Sequence, residues 1–322
     1  MYSRRTFFAR TGKAGLMTWL LGTDPAFGAF PVGNVGESPV RLIVDADTGN
    51  EVDDLYAIAI ALIEPRLKVA GITSAQWHTH PNAPNDTVGE SQRLNEEILS
   101  LMGMEDIPHP EGSNLPMVNT FRPQPSDAAA FIIEQAKATP LGEKLNVVVL
   151  GPATNLASAV LMAPEIIPKV TANYLGFWHH PETRTWNKRE FNTNNDPNAV
   201  NLLINTHDLE FHVMTASTSQ HLVFDKAEVD LHLKGKGGIA DYLVNRWESY
   251  HRYWQQNDKE KKHWTMWDIA IIQAIAYPEL ANQSKVQSPY DNLDRPIYAY
   301  TSIDVEAMKE RFWQVFDGFL QK

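Results

Sequence analysis

Asp45, Asp47, Asp53 and Asp54 fall within ten residues of one another, in Val44-Asp45-Ala46-Asp47-Thr48-Gly49-Asn50-Glu51-Val52-Asp53-Asp54. So much negative charge at one turn repels itself unless a cation compensates it. An all-oxygen ligand set suits Ca²⁺ or Mg²⁺ rather than zinc. The plainer alternative is a solvated acidic turn in which Asp53 and Asp54 favour a helix N-terminus. Position argues for the cation. The apolar run Leu42-Ile43-Val44 leads into the turn and the helix-like stretch Leu55–Leu62 follows it. That is the carboxyl end of a buried strand, where open α/β sheets place ligands.

Three later patches carry compatible chemistry. Leu150-Gly151-Pro152-Ala153-Thr154-Asn155-Leu156 sits where a strand enters a helix, so its carbonyls and Thr154 can face a ligand. Arg189-Glu190-Phe191-Asn192-Thr193-Asn194-Asn195-Asp196-Pro197 packs acceptors and amides suited to sugar hydroxyls, or alternatively forms a turn and a helix cap. Trp267-Asp268-Ile269-Ala270 places a carboxylate at the start of an apolar helix, where an ordinary first-turn Asp is the competing reading. Two long aperiodic segments complete the set. Gln76–Gly89 carries His78 and His80, and Phe177–Asn195 carries Trp178, His179, His180 and Trp186. Loops of such length in a compact domain tend to be functional.

The elements that must hold these residues alternate. Arg41–Asp47, Leu67–Thr73, Leu145–Leu150, Val170–Leu175 and Leu209–Met214 read as strands. Asp53–Ile63, Glu90–Met102, Ser126–Ala138, Pro152–Met162 and a segment from Asp196-Pro197 through Ile204 read as helices. From Ala227 onward the chain reads as mostly helical, with a late strand near Pro296–Tyr300. This predicts an α/β fold with a single open, mostly parallel sheet flanked by helices. Both aperiodic segments follow strands, so both should rise over the same sheet edge as the Asp turn.

The chain has 322 residues, 43% hydrophobic, enough for one large α/β domain. Its net charge of −11, without a Lys/Arg-rich block, argues against nucleic acid or an anionic membrane as partner. The absence of cysteine excludes disulfides, thiol catalysis and thiolate zinc sites. Residues 1–30 read as a twin-arginine signal peptide: Ser3-Arg4-Arg5-Thr6-Phe7-Phe8, a weakly apolar run Ala14–Gly22, and small residues at Ala26-Phe27-Gly28-Ala29. The run is about half of what a membrane span needs, so no stable anchor is expected after cleavage. The expectation is a folded protein exported to the periplasm or beyond, with residues 38–322 as its catalytic domain.

Together the four patches resemble the nucleoside hydrolase family, the inosine/uridine-preferring N-ribohydrolases. The family's Asp-x-Asp strand end, glycine turn and Asp-Asp pair are matched by Asp45–Asp54, its Leu-Gly-Pro-x-Thr-Asn-Leu-Ala motif by Leu150–Ala157, and its Glu-Phe-Asn and Asp-Pro motifs by Glu190–Asn192 and Asp196-Pro197. The resemblance implies a Ca²⁺ held by Asp47, Asp54, Asp268 and the carbonyl of Thr154. It implies cleavage of an N-glycosidic bond by a water activated by metal and Asp47, the latter as general base. Asp53, Asn192 and Asp268 would hold the ribose 2′- and 3′-hydroxyls, with Glu190 near the 5′-hydroxyl. The expected partner is a small-molecule riboside, bound by a single chain or by a homo-oligomer.

Two departures mark a divergent branch. The turn is longer by two residues, placed at Asn50-Glu51, which reshapes the approach to Asp53. Trp267 stands where many members carry a histidine that assists the departing base. Protonation would then come from elsewhere, with His78, His80, His179 and His180 as sources, or give way to stacking by Trp178, Trp186 or Trp267. Asn187 is the nearest amide to the family's asparagine contact upstream of Glu-Phe-Asn. Two other readings compete. One is an exported protein that binds a ribosyl compound without cleaving it. The other is a haloacid-dehalogenase-type phosphatase with Asp45 as nucleophile and Asp47 as acid/base.

Overall fold

A computed structural model describes residues 38–252, 254 and 257–322; the expected leader lies outside the described residues. The chain opens with β1 (Val40–Ala46), α1 (Asp53–Ile63), β2 (Leu67–Ser74), α2 (Thr87–Met102) and α3 (Asp127–Lys137). It continues through β3 (Leu145–Val149), α4 (Thr154–Met162), β4 (Val170–Gly176), β5 (Trp178–His180), β6 (Thr185–Asn187), α5 (Phe191–Asn195) and α6 (Pro197–Asn205). Then follow β7 (Glu210–Thr215), α7 (Ala216–Ser219), β8 (Val223–Asp225), α8 (Lys226–Leu233), α9 (Gly238–Ser249), β9 (His263–Thr265) and α10 (Trp267–Ala276). The last elements are β10 (Ala281–Gln287), β11 (Pro296–Ile303) and α11 (Val305–Leu320).

Seven strands form one sheet in the order β10-β11-β7-β4-β3-β1-β2, parallel throughout except for the antiparallel edge strand β10. β1 is buried on both faces from Leu42 to Ala46, Asp45 included, as befits a strand covered by helices on either side. Leu55, Ile58, Ile269, Ile272 and Phe312 pack one face, bringing α1, α10 and α11 to it. Ile132, Leu156, Val160 and Leu203 of α3, α4 and α6 pack the other. The expected fold class holds. The helices that follow β1 and β3 therefore leave neighbouring strands toward opposite faces, and a crevice opens between them at the carboxyl edge.

Two expectations need correction. The region after Ala227 is not simply helical with one late strand: β9 pairs with β8, and β10 pairs with β11. β9 has three residues, too few to show a period, and β10 is a polar, largely exposed edge strand. The segment Phe177–Asn195 is also more ordered than its aperiodicity suggests, containing the β5–β6 hairpin and α5. Among the described residues no helix is long and apolar enough to cross a membrane.

Candidate active site

The Asp turn is held from below and from the side. Asn50 N–H donates to the Asp47 carbonyl at 2.7 Å, the Thr48 hydroxyl donates to Asn95 Oδ1 at 2.6 Å, and Gly49 N–H donates to Ser91 Oγ at 3.3 Å. Both side-chain partners lie on α2, which fixes the turn to the domain. Gly151, in the turn after β3, makes room for Asp47. A Cβ there would stand 2.9 Å from the Cβ, Cγ and Oδ1 of Asp47, closer than atoms of those types approach. The glycine of the Gly-Pro pair is thus required by close approach and not only by the turn.

Asp53 and Asp54 occupy the first turn of α1, and Asp268 the first turn of α10. The Asp268 N–H donates to Asp53 Oδ2 at 3.3 Å. Carboxylate oxygens of Asp53, Asp54 and Asp268 lie within 4.8 Å of one another, close enough to share an ion. Asp47 lines the same cavity, of about 220 Å³, but stands outside that trio. Asp47, Asp53, Asp54 and Asp268 form the floor, each only 1–3% exposed. Glu190, Asn192, Phe191, Leu150, Leu175 and Ala216 contribute walls, and Glu51, Trp178, Trp254 and Trp267 the outer part. Trp178 and Trp267 meet edge to face at 5.8 Å.

The floor is electrostatically strained. Burial, then the charges of Asp54 and Asp53, hold the Asp47 carboxyl well above the usual carboxylate range. Burial first and Asp53 second do the same to Asp54 and Asp268. Burial pushes Asp53 itself up to about 7, and partial burial beside Asp53 raises Glu51. Asp47 Oδ2 and Asp54 Oδ1 are buried without a hydrogen-bond partner among the described residues. Orphaned carboxylate oxygens facing one cavity, with no basic side chain among its lining residues, fit a hard cation. Positive charge at that point would draw all these carboxyls back toward ionisation.

Glu190 and Asn192 are built into the wall through backbone contacts. Glu190 caps α5: Oε1 accepts from Asn192 N–H at 3.0 Å, and Oε2 accepts from Thr193 N–H at 2.9 Å, the Thr193 hydroxyl at 2.9 Å and Phe177 N–H at 3.2 Å. Phe177, at the end of β4, adopts a φ of 60°, a costly conformation for a bulky residue. It aims its N–H at Glu190. Asn192 Nδ2 donates to the carbonyls of Leu150 and Leu175, at 2.5 and 3.2 Å, which leaves Oδ1 as the atom it can offer a ligand.

Several residues singled out in the sequence lie outside the cavity lining. Thr154 begins α4 and donates its hydroxyl to Asp196 Oδ2 at 2.7 Å. Asp196 also takes Met117 N–H and Ala199 N–H, so the Asp-Pro motif is a structural cap. Asn187 is exposed on β6, accepting from Arg189 N–H. The His78 ring is engaged by the Asn114 carbonyl, His80 Nε2 stands 3.3 Å from the Tyr250 hydroxyl, and His179 stacks on Trp186 at 4.0 Å between ring centres. The two loops do meet above the sheet edge, where Thr79 N–H donates to Asn195 Oδ1 at 2.8 Å. Asp45, the nucleophile of the phosphatase reading, is fully buried, with Oδ1 accepting from Thr73 and Asn155. Glu51 and Trp254 are lining residues that sequence reasoning passed over. Glu51 had a signal, since it sits in the longer turn; Trp254 had none.

Residues 42–311 match the family model described as inosine-uridine preferring nucleoside hydrolase. Among curated proteins, the chain is 27% identical to a probable uridine nucleosidase 2 of Arabidopsis thaliana, covering 74% of this chain and 78% of that protein. It is also 27% identical to a pyrimidine-specific ribonucleoside hydrolase of Citrobacter koseri, over 50% of this chain and 55% of that one. Among solved structures, a purine-preferring ribonucleoside hydrolase from Gardnerella vaginalis superposes with a TM-score of 0.67 at 20% identity, covering 87% of this chain and 99% of that one. An inosine-uridine preferring nucleoside hydrolase from Bacillus anthracis gives 0.60 at 16% identity, covering 88% and 99%. At these identities the structural likeness speaks to the fold.

Proposed function

The chain belongs to the inosine-uridine preferring nucleoside hydrolase family, enzymes that hydrolyse N-glycosyl bonds, and on that premise we propose Ca²⁺-dependent cleavage of a ribonucleoside or related riboside with Asp47 as general base. The observation that supports this most is the convergence of Asp47, Asp53, Asp54 and Asp268 on one cavity floor, with two of their oxygens lacking a hydrogen-bond partner among the described residues.

In this reading Asp47, Asp54 and Asp268 hold the cation together with the Thr154 carbonyl. Bound Ca²⁺ supplies the positive charge that lets these carboxylates ionise together and makes water more acidic. Asp47 accepts the proton of the attacking water, and Oδ2 is the oxygen available for it. Asp53, whose Oδ2 also takes the Asp268 amide, holds ribose hydroxyls with Asn192 Oδ1 and Asp268. Glu190, which caps α5 and lines the cavity wall, would take the 5′-hydroxyl. The negative floor stabilises the oxocarbenium-like charge that develops on the sugar. Twin-arginine export to the periplasm belongs to the same proposal and rests on Ser3–Phe8.

The relatives and structural neighbours include both a pyrimidine-specific and a purine-preferring hydrolase, so both kinds of base are candidates. A second reading, a ribosyl-compound binder without turnover, draws on Trp267 in place of an assisting histidine. Incubation with a panel of nucleosides decides between them. Release of reducing sugar supports the hydrolase, whereas saturable binding without release supports the binder and overturns the proposal.

A further inference from the structure

We infer that Glu51 is a specificity-determining residue that reads the leaving base, its second carboxylate oxygen accepting a hydrogen bond from a ring or exocyclic N–H of that base. The inference rests on the hydrolase reading above for the orientation of the ligand.

The longer turn is clamped at two consecutive residues. The Asn50 carbonyl accepts from the Tyr250 hydroxyl, and Glu51 Oε1 accepts from Trp264 Nε1–H at 2.5 Å. Trp264 is buried and comes to this point on β9, whose pairing with β8 fixes the strand; the Arg252 guanidinium lies over its ring, 4.7 Å from the centre. An indole has a single donor, so Trp264 fixes the carboxylate through Oε1 and has none to offer Oε2. Among the described residues Oε2 has no hydrogen-bond partner. A side chain held on a buried anchor with one acceptor left over is pre-organised to recognise something in the cavity it lines.

Depth indicates what that is. The carboxylates that would take the cation and ribose diol are 1–3% exposed, whereas Glu51, Trp178 and Trp267 are half-buried and Trp254 is exposed. A sugar seated on the floor therefore sends its anomeric substituent outward, into the layer that holds Glu51. The three indole rings there can cover the faces of a base but read little of its edge. Only two lining carboxylates stand off the floor, and both Glu190 oxygens already accept from Phe177, Asn192 and Thr193. Glu51 is the one with an oxygen to spare.

The test compares nucleosides that differ by one N–H: uridine against 3-methyluridine, and inosine against 1-methylinosine. Wild-type protein should favour the N–H member of at least one pair in kcat/KM by on the order of tenfold, the usual worth of a hydrogen bond to a charged group. Glu51→Gln keeps an acceptor for Trp264 and turns the second oxygen into a donor facing the base. Its N–H to N-methyl ratio should collapse toward one, whatever happens to the absolute rate. A wild-type ratio near one for both pairs overturns the inference without any variant. A ratio kept by a folded Glu51→Gln protein overturns it too, since the methyl group alone would then explain the preference. If wild type cleaves no riboside, the hydrolase reading falls by itself. The same ratios, read as dissociation constants by quenching of tryptophan fluorescence, then decide the role of Glu51.

Discussion

Asp268 donates its backbone N–H to Asp53 Oδ2 at 3.3 Å, joining the start of α10 to the start of α1 across 215 residues of chain. Neither helix is capped by its own N-cap side chain, Val52 or Met266, and the Asp268 amide of α10 instead finds the Asp53 carboxylate at the floor of the cavity. Two helix N-termini favour anions there, each by about half an elementary charge. That does not balance four clustered carboxylates. The difference is what a divalent cation would supply.

Chelation should therefore destabilise the protein, and the effect should depend on pH. Without a cation, burial holds Asp45 at about 6 and Asp53 at about 7, against an ordinary 3.8. A raised folded-state value contributes stability fully present below about pH 4 and lost as pH rises through about 6 to 7. Metal-free protein should thus lose melting temperature across that window. Added Ca²⁺ should raise it more at neutral pH than near pH 5, because its ligands must be deprotonated. A calcium-induced rise of equal size at both pH values, or none, would contradict the assignment of the floor.

Gly151→Ala tests how closely Asp47 must be placed. The added methyl group meets the Cβ, Cγ and Oδ1 of Asp47 at 2.9 Å, so the carboxylate or the turn has to move. Misplacing a reacting group by an ångström can cost on the order of 10²-fold in rate. Turnover should fall by about that much, with Ca²⁺ affinity weakened as well. Full activity in this variant would show that Asp47 works from a different position.

The sheet and the floor were legible because they use strong signals. Apolar runs of strand length fix β1 to β4 and β7, and Asp45–Asp54 can serve few purposes at a strand end. The outer layer was not legible. β9 has three residues, yet it delivers Trp264 to Glu51 and leads into Trp267 and Asp268. No periodicity announces such an element; its position follows from tertiary pairing with β8. The loop histidines stand out by residue type, but none of them lines the cavity, and the rings of His78 and His179 are engaged elsewhere, by the Asn114 carbonyl and by Trp186. Glu190 is both readings at once, a helix cap and a wall of the site.

Export can be tested independently of chemistry. On the proposed export route, a twin-arginine receptor would read the Arg4-Arg5 pair as an address. Replacing both with lysine keeps the charge and removes the address, so the variant should stay in the cytoplasm. Unchanged recovery from the periplasm on fractionation would defeat the proposal.

Asp47→Asn bears on the reaction itself. The amide keeps the shape of the side chain but cannot take a proton from water, while Asp54 and Asp268, the other proposed carboxylate ligands, would remain to hold the cation. A general base typically contributes about 10²–10⁴-fold, so nearly all turnover should vanish while Ca²⁺ stays largely bound. The pattern of substrates carries the second half of the argument. Trp267 packs edge to face on Trp178 and has no proton to give a departing ring nitrogen in the way a histidinium would. Turnover should then be greatest for ribosides with good leaving groups, such as a nitrophenyl riboside, and weak for inosine. Trp267→His should raise the inosine rate relative to the nitrophenyl riboside by restoring a donor. If Asp47→Asn keeps more than about a tenth of wild-type turnover, less than the smallest usual general-base effect, Asp47 is not the base, and the proposed reaction falls with it.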